Sequence, residues 1–289
     1  MSEMHLDKRP KPGTRREAVP PVNAEKFGLG GPIASCSTTT GRLLRWFGAY
    51  RDLLFIRWAN IRNEWYFHVL LGLTFPIAIL VFMKLTGAAD DPGAGLYVAT
   101  GNAVMSLVMG PMQSLCNDFA WARQRNDLEY FASLPVSKLQ ITLAFASVSA
   151  IFVIPTMILS IFIGSLWFGF AIRWHIMVVP VMAVSALSTA GLGVLAGVNA
   201  RSGHQANLFN SAVTLVVAFL SPVLIPYQNL PLFLQWTSKA LPTSYAAAAL
   251  RGILTGSPTS TVWVDLGIVS VFTVIFLYLA TKRLDWRTE

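Results

Sequence analysis

No Gly-x-x-x-x-Gly-Lys-Ser/Thr phosphate loop, His-Glu-x-x-His pair or Gly-x-Ser-x-Gly elbow occurs in the 289 residues, and no two carboxylates share an apolar run. Nucleotide binding of the usual kind, metal-assisted hydrolysis and serine hydrolysis therefore lack their side chains, so no catalytic residue is expected. Cys36 and Cys116 give neither a disulfide framework nor metal-ligand spacing, and no metal is expected. What the chain does carry is a recognition surface. Residues 123–138 interleave Arg123, Arg125, Asp127, Glu129 and Lys138 with Leu128, Tyr130, Phe131 and Leu134. Such an amphipathic element suits docking to a partner, with Pro135 ending its helix; the alternative is a helix lying back on its own bundle.

Two further sets of residues recur at helical spacing. Asn102, Met105, Ser106, Met109 and Gln113 form one stripe; Asn207, Asn210, Ser211, Thr214, Ala218 and Ser221 form another. Both lie in apolar runs, where an amide facing hydrocarbon is costly, so each stripe should face protein or a water-accessible cleft. Two readings stay open. The stripes line the route of an amphiphilic cargo, for which methionines suit because they repack easily, or the amides bond across packed helices. A third set, Ser185, Thr189, Gly193 and Gly197, falls at four-residue intervals and reads as close helix packing. Asp265 and His175 fall at the ends of apolar runs and read as interfacial.

The elements that must position these residues are membrane helices. Only 12% of residues are charged, 54% are hydrophobic, the mean hydropathy is +0.55 and the net charge is +8. A soluble domain carries about a quarter charged residues, so a soluble enzyme, a disordered tail and a disulfide-rich secreted module are all excluded as descriptions of the whole. Six stretches reach the ~17–25 residues a spanning helix needs. They are 67–85, 96–116, 139–170, 176–198, 208–225 and 262–280. The third, with Pro155 at its middle, is expected to kink or to run beyond the hydrocarbon. The stretch 226–258 is apolar but broken by Pro226, Pro231, Pro242 and Pro258. It fits short re-entrant or interfacial helices on the outer side, because irregular backbone at membrane depth must be covered by protein or line a cavity.

Eighteen of the 22 Lys and Arg residues fall on one side of this layout when the N-terminus is cytoplasmic. The asymmetry puts both termini in the cytoplasm. Residues 1–40, rich in Pro and Gly without periodicity, read as a disordered cytoplasmic tail with no apolar leader. Residues 41–66 follow, where Leu43, Phe47, Tyr50, Leu54, Trp58 and Ile61 recur at helical spacing and Arg57 lies close to the apolar stripe. A basic helix with this aromatic face is expected to lie flat at the membrane surface. The six-span domain is 67–289. The fold class is an all-α membrane protein: six transmembrane helices, an N-terminal amphipathic interfacial helix, a cytoplasmic coupling helix, and re-entrant outer helices before the last span.

Two segments carry a family resemblance. Leu134-Pro135-Val136-Ser137-Lys138, after Leu128-Glu129-Tyr130, resembles the cytoplasmic loop of the ABC-2 type permeases. Pro242-Thr243-Ser244-Tyr245-Ala246, continuing to Leu250-Arg251-Gly252, resembles the segment before that family's last span. The chain departs from the family pattern in having fewer acids before Leu128 and Ser221-Pro222 at the end of the fifth span. The resemblance implies a non-enzymatic transport subunit in the bacterial inner membrane, paired with a second permease chain. Separate ATPase subunits would carry ATP and magnesium and dock on Arg123, Arg125, Asp127, Leu128, Glu129, Tyr130, Leu134 and Pro135. ATP-driven closure of the ATPase pair would push this loop and switch the bundle from inward-open to outward-open. Asn102, Met105, Met109, Gln113, Asn210, Thr214 and Ser221 would line the route, with Pro242, Tyr245, Leu250 and Arg251 in the outer motif. The implied cargo is an amphiphile such as a drug, an antibiotic or a lipid, with a polysaccharide or lipid-linked glycan as the alternative. No nucleic-acid partner is expected. An ion-coupled secondary carrier is the reading from another class; it predicts midplane carboxylates and an internal repeat, and neither is visible.

Overall fold

The computed structural model describes residues 39–62, 65–87, 92–125, 133, 136–200, 202–220, 232–239, 241–256 and 260–284. The chain divides between Arg42 and Leu43 into two compact units, of which the larger, Leu43–Glu289, holds the helical bundle. Residues 1–38 of the proposed tail, residues 126–132, 134 and 135 of the docking loop, and the Pro226, Pro231 and Pro258 breaks lie outside the described residues, while Thr39 and Thr40 at the end of the proposed tail already belong to a helix. Among the described residues there is no strand. The helices are α1 (Thr39–Arg62), α2 (Trp65–Leu85), α3 (Pro92–Leu107), α4 (Gln113–Gln124), α5 (Lys138–Phe168), α6 (Val178–Asn199), α7 (Gly203–Leu220), α8 (Leu232–Ser238), α9 (Pro242–Leu254) and α10 (Ser260–Arg283). A π-helical turn, Val108–Met112, joins α3 to α4 without interruption.

Over its described residues, nearly all of each of the six apolar runs is helical. Three of these, α5, α6 and α10, are long and apolar enough to cross a membrane by length and composition, and Gly72–Leu85 is a shorter apolar helix. The 31 residues of α5 continue through Pro155 as one helix. At 1.5 Å per residue it is ~46 Å long, against a ~30 Å hydrocarbon core, a length that agrees with the expected run beyond the hydrocarbon. Its start is fixed by a capping box: Ser137 Oγ accepts from Gln140 N at 3.2 Å, and Gln140 Oε1 accepts from Ser137 N at 2.6 Å. Gly169, at φ 70°, ends it.

Small residues set the distances between these helices. On α6, a Cβ at Gly193 would overlap the Met112 carbonyl oxygen, and one at Gly197 would overlap that of Cys116. The backbones of α6 and of the segment after α3 are therefore in direct contact, as the four-residue spacing of small residues predicts. Gly164 of α5 meets Ala99 of α3 in the same way. The main core lies where α3, α5, α6 and α9 meet, around Met105, Met157, Ile161, Met182 and Leu250. By contrast α10 leaves Trp263, Val264, Val271, Val274 and Tyr278 exposed, an apolar surface suited to lipid.

Candidate functional site

Helices α1, α4 and α5 come together in one cluster. The Trp58 ring of α1 stacks on Phe152 of α5, with centroids 5.2 Å apart. Tyr50 and Ser147 share a hydroxyl hydrogen bond of 2.9 Å. Gln140 of the capping box also donates to the Trp46 carbonyl at 2.9 Å. These contacts tie α1 to the helix that directly follows the proposed docking loop.

Arg57, the residue that disturbs the apolar stripe of α1, is explained by what it reaches. Its guanidinium pairs with the Asp118 carboxylate on α4 and lies 4.7 Å from the centre of the Phe145 ring on α5. The two side chains are 15% and 33% exposed. A largely desolvated Arg–carboxylate pair over an aromatic face is well suited to fix three helices at one point. Leu53 is buried here, with Tyr50 and Leu54 packed beside it. Part of the predicted stripe therefore faces protein, while Phe47 remains exposed together with Phe55 and Ile56.

The described docking residues have partners within the bundle. Arg123 Nη1 donates to the Val198 carbonyl at 2.7 Å, satisfying an acceptor at the C-terminal end of α6. Beside it, Gln124 Oε1 accepts from Gly203 N at 3.4 Å, and the Arg125 guanidinium lies 5.6 Å from the Trp121 ring. Asp127, Leu128, Glu129, Tyr130, Leu134 and Pro135 lie outside the described residues.

The polar stripes divide into a packed part and an accessible part. Asn102 is fully buried and donates to the Pro76 carbonyl of α2 at 2.7 Å, and Met105 is fully buried in the main core. Met109 and Gln113 are partly exposed. On α7, Asn210 is buried and donates to Asn117 Oδ1 on α4 at 3.2 Å, Thr214 is half-buried, and Asn207 and Ser211 are exposed. Ser221 lies outside the described residues. The α7 stripe thus reaches α4 through Asn210 and Asn117, while Asn102 bonds to α2 and Met105 lies in the main core.

On the opposite side, α9 begins with Pro242 at its first position, buried like Leu250. Its 13 residues measure ~20 Å, too short to cross. Tyr245 donates to the Lys239 carbonyl at 3.0 Å, holding the chain that leads into the helix. Arg251 Nε donates to Thr100 Oγ1 at 3.0 Å, and its guanidinium carbon lies 3.3 Å from the centre of the Tyr97 ring, both on α3. Burial pushes this guanidinium down to about 10, so it remains a cation at neutral pH. The Leu254 carbonyl at the end of α9 accepts from Arg173 N at 3.4 Å.

Sequence reasoning did not find the Arg57–Asp118 pair. The available signal was Arg57 itself, a charge misplaced on an amphipathic helix, which calls for an acid such as Asp118 on a neighbouring helix.

A family model described as ABC-2 type transporter matches residues 51–255, from α1 through α9. Nodulation protein J of Rhizobium leguminosarum bv. trifolii is 30% identical over 108 residues, covering 37% of this chain and 41% of the relative. Nodulation protein J of Rhizobium meliloti is 28% identical over 108 residues, with 37% and 41% covered. The chain thus spans about two fifths of the length of the curated relatives it matches.

Proposed function

Because the chain belongs to the ABC-2 type transporter family, we propose that it is the six-span membrane subunit of an ATP-driven exporter, with both termini cytoplasmic. Two permease chains pair around a route, and separate ATPase subunits dock beneath them at 123–138. ATP and magnesium bind to those partners. The subunit itself contributes movement. The observation that carries this reading is the clamp at the cytoplasmic end, where Arg57, Asp118, Gln140 and Trp58 tie α1, α4 and α5 together on either side of the docking loop. A push on that loop reaches all three helices at once.

The cargo is an amphiphile, drug-like or lipid-like, which passes Met109, Gln113, Asn210 and Thr214. A polysaccharide or lipid-linked glycan is the second reading. It is favoured by Trp121, exposed beside Arg125 at the cytoplasmic end of the α4–α7 contact, because a sugar ring can lie against an exposed indole. Pull-down of the tagged chain from its native membrane tests the reading. Recovery of an ATPase chain carrying a phosphate loop supports it. A chain that is recovered without such a partner and still transports in response to an ion gradient refutes it.

A further inference from the structure

The helix from Pro92 to Gln124 changes neighbours at its middle. Its outer arm, α3, packs chiefly on α5, with α2 and α9 beside it; its inner arm, α4, packs chiefly on α6, with α7 beside it. The change falls at the π turn Val108–Met112. Pro111 has no N–H to give to the carbonyl four residues back, which leaves one rung of the α-helical ladder open at this turn. The turn widens instead, and Gln113 N–H donates to the Val108 carbonyl five residues back. Sharp bends in helices concentrate at such turns.

What surrounds the turn is built like a pivot. Gly193 of α6 lies against the Met112 backbone with no side chain between, and a Cβ at Gly110 would come within 3.3 Å of Val153 on α5. The two arms end in different anchors. The inner arm is held at Asp118 by Arg57 and at Arg123 by the Val198 carbonyl. The outer arm is held by Arg251 of α9, a helix that itself packs on α6 and α10.

We propose that this helix is a two-armed lever pivoting at Val108–Met112, driven from α1 through Arg57 and Asp118, and opening the outer side as Thr100 and Tyr97 part from Arg251. The proposal rests on the transport reading above. From Pro111 to Gly93 the outer arm measures ~27 Å, and a ~20° bend carries its tip ~9 Å sideways. The motion needs no change in either arm, only in the turn.

The test uses the full chain with its co-purified ATPase in lipid nanodiscs and vesicles. Cys36→Ser removes one native thiol; Cys116 is fully buried and stays. Spin labels at Gly93→Cys and Val179→Cys, both exposed, report the separation of the outer arm from the outer end of α6. A non-hydrolysable ATP analogue with magnesium is expected to shift that distance by several ångströms in the parent. Pro111→Ala and Pro111→Leu, which restore the missing N–H, are expected to abolish the shift and export while ATP turnover persists. An equal shift in both variants, or a parent that exports with an unchanged distance, overturns the lever and leaves the permease reading standing. A parent that binds no ATPase removes the permease reading, and the lever with it.

Discussion

Breaking the Arg57–Asp118 pair should separate α1 from the bundle without dismantling the spans. Two unit charges ~4 Å apart are worth ~4 kcal/mol at an effective dielectric near 20. The Phe145 face under the guanidinium adds ~1 kcal/mol. Desolvation of both groups, whose side chains are 15% and 33% exposed, subtracts much of this. The net coupling expected is ~1–3 kcal/mol, a factor of about 5–150 in the equilibrium between docked and undocked α1. The assay is a double-mutant cycle on Arg57→Leu, Asp118→Asn and the combined variant, read by denaturant unfolding of the purified chain in lipid. Either single change strands a largely buried charge or its dipolar remnant and should cost most of the coupling; the double variant should cost little more than one single change. Cargo-stimulated ATP turnover, measured with the partner ATPase, should fall in the single variants. If the two single effects add within ~0.5 kcal/mol, the residues do not act on each other and the clamp is not what joins α1 to α4.

Gly193→Ala places a Cβ 2.8 Å from the Met112 Cα and is expected to lower stability by ~1–3 kcal/mol, whereas Gly267→Ala, with nothing within 4 Å, should raise it by ~0.5–1 kcal/mol; thermal unfolding compares the two. Met109→Trp should change the range of cargoes exported with little effect on stability, because Met109 is only partly buried. Asn102→Leu should instead cost ~1–3 kcal/mol by removing the donor to the Pro76 carbonyl, and export and melting curves on the same preparations separate these effects. Glu129→Ala or Tyr130→Ala should leave folding and ATP binding intact while export per ATP hydrolysed falls.

The places of the helices could be read because hydrocarbon leaves little choice: a run of ~20 apolar residues must satisfy its backbone internally, and only a helix does so. The small-residue stripe was legible for a similar reason, since Gly193 and Gly197 can only serve a close approach if something lies against them. The continuation of the second helix to Gln124 was not, because Asp118, Arg123 and Gln124 are polar and look like the start of a loop. Their partners, Arg57, Val198 and Gly203, are distant in sequence. The polar stripes show the limit of periodicity. Asn102 and Gln113 share a face by spacing, yet the π turn between them adds a residue to one helical turn and shifts what each end faces. Helical wheels drawn at a constant 3.6 residues per turn cannot register that shift, although Pro111 announces it.

Transport by purified components decides the central claim. The chain is reconstituted into sealed vesicles with and without its co-purified ATPase, and release of a fluorescent amphiphile is followed after ATP addition on the ATPase side. The account predicts movement only when ATPase, ATP and magnesium are all present, with no response to proton or sodium gradients. Movement by the chain alone, at a rate unchanged by nucleotide, would contradict it.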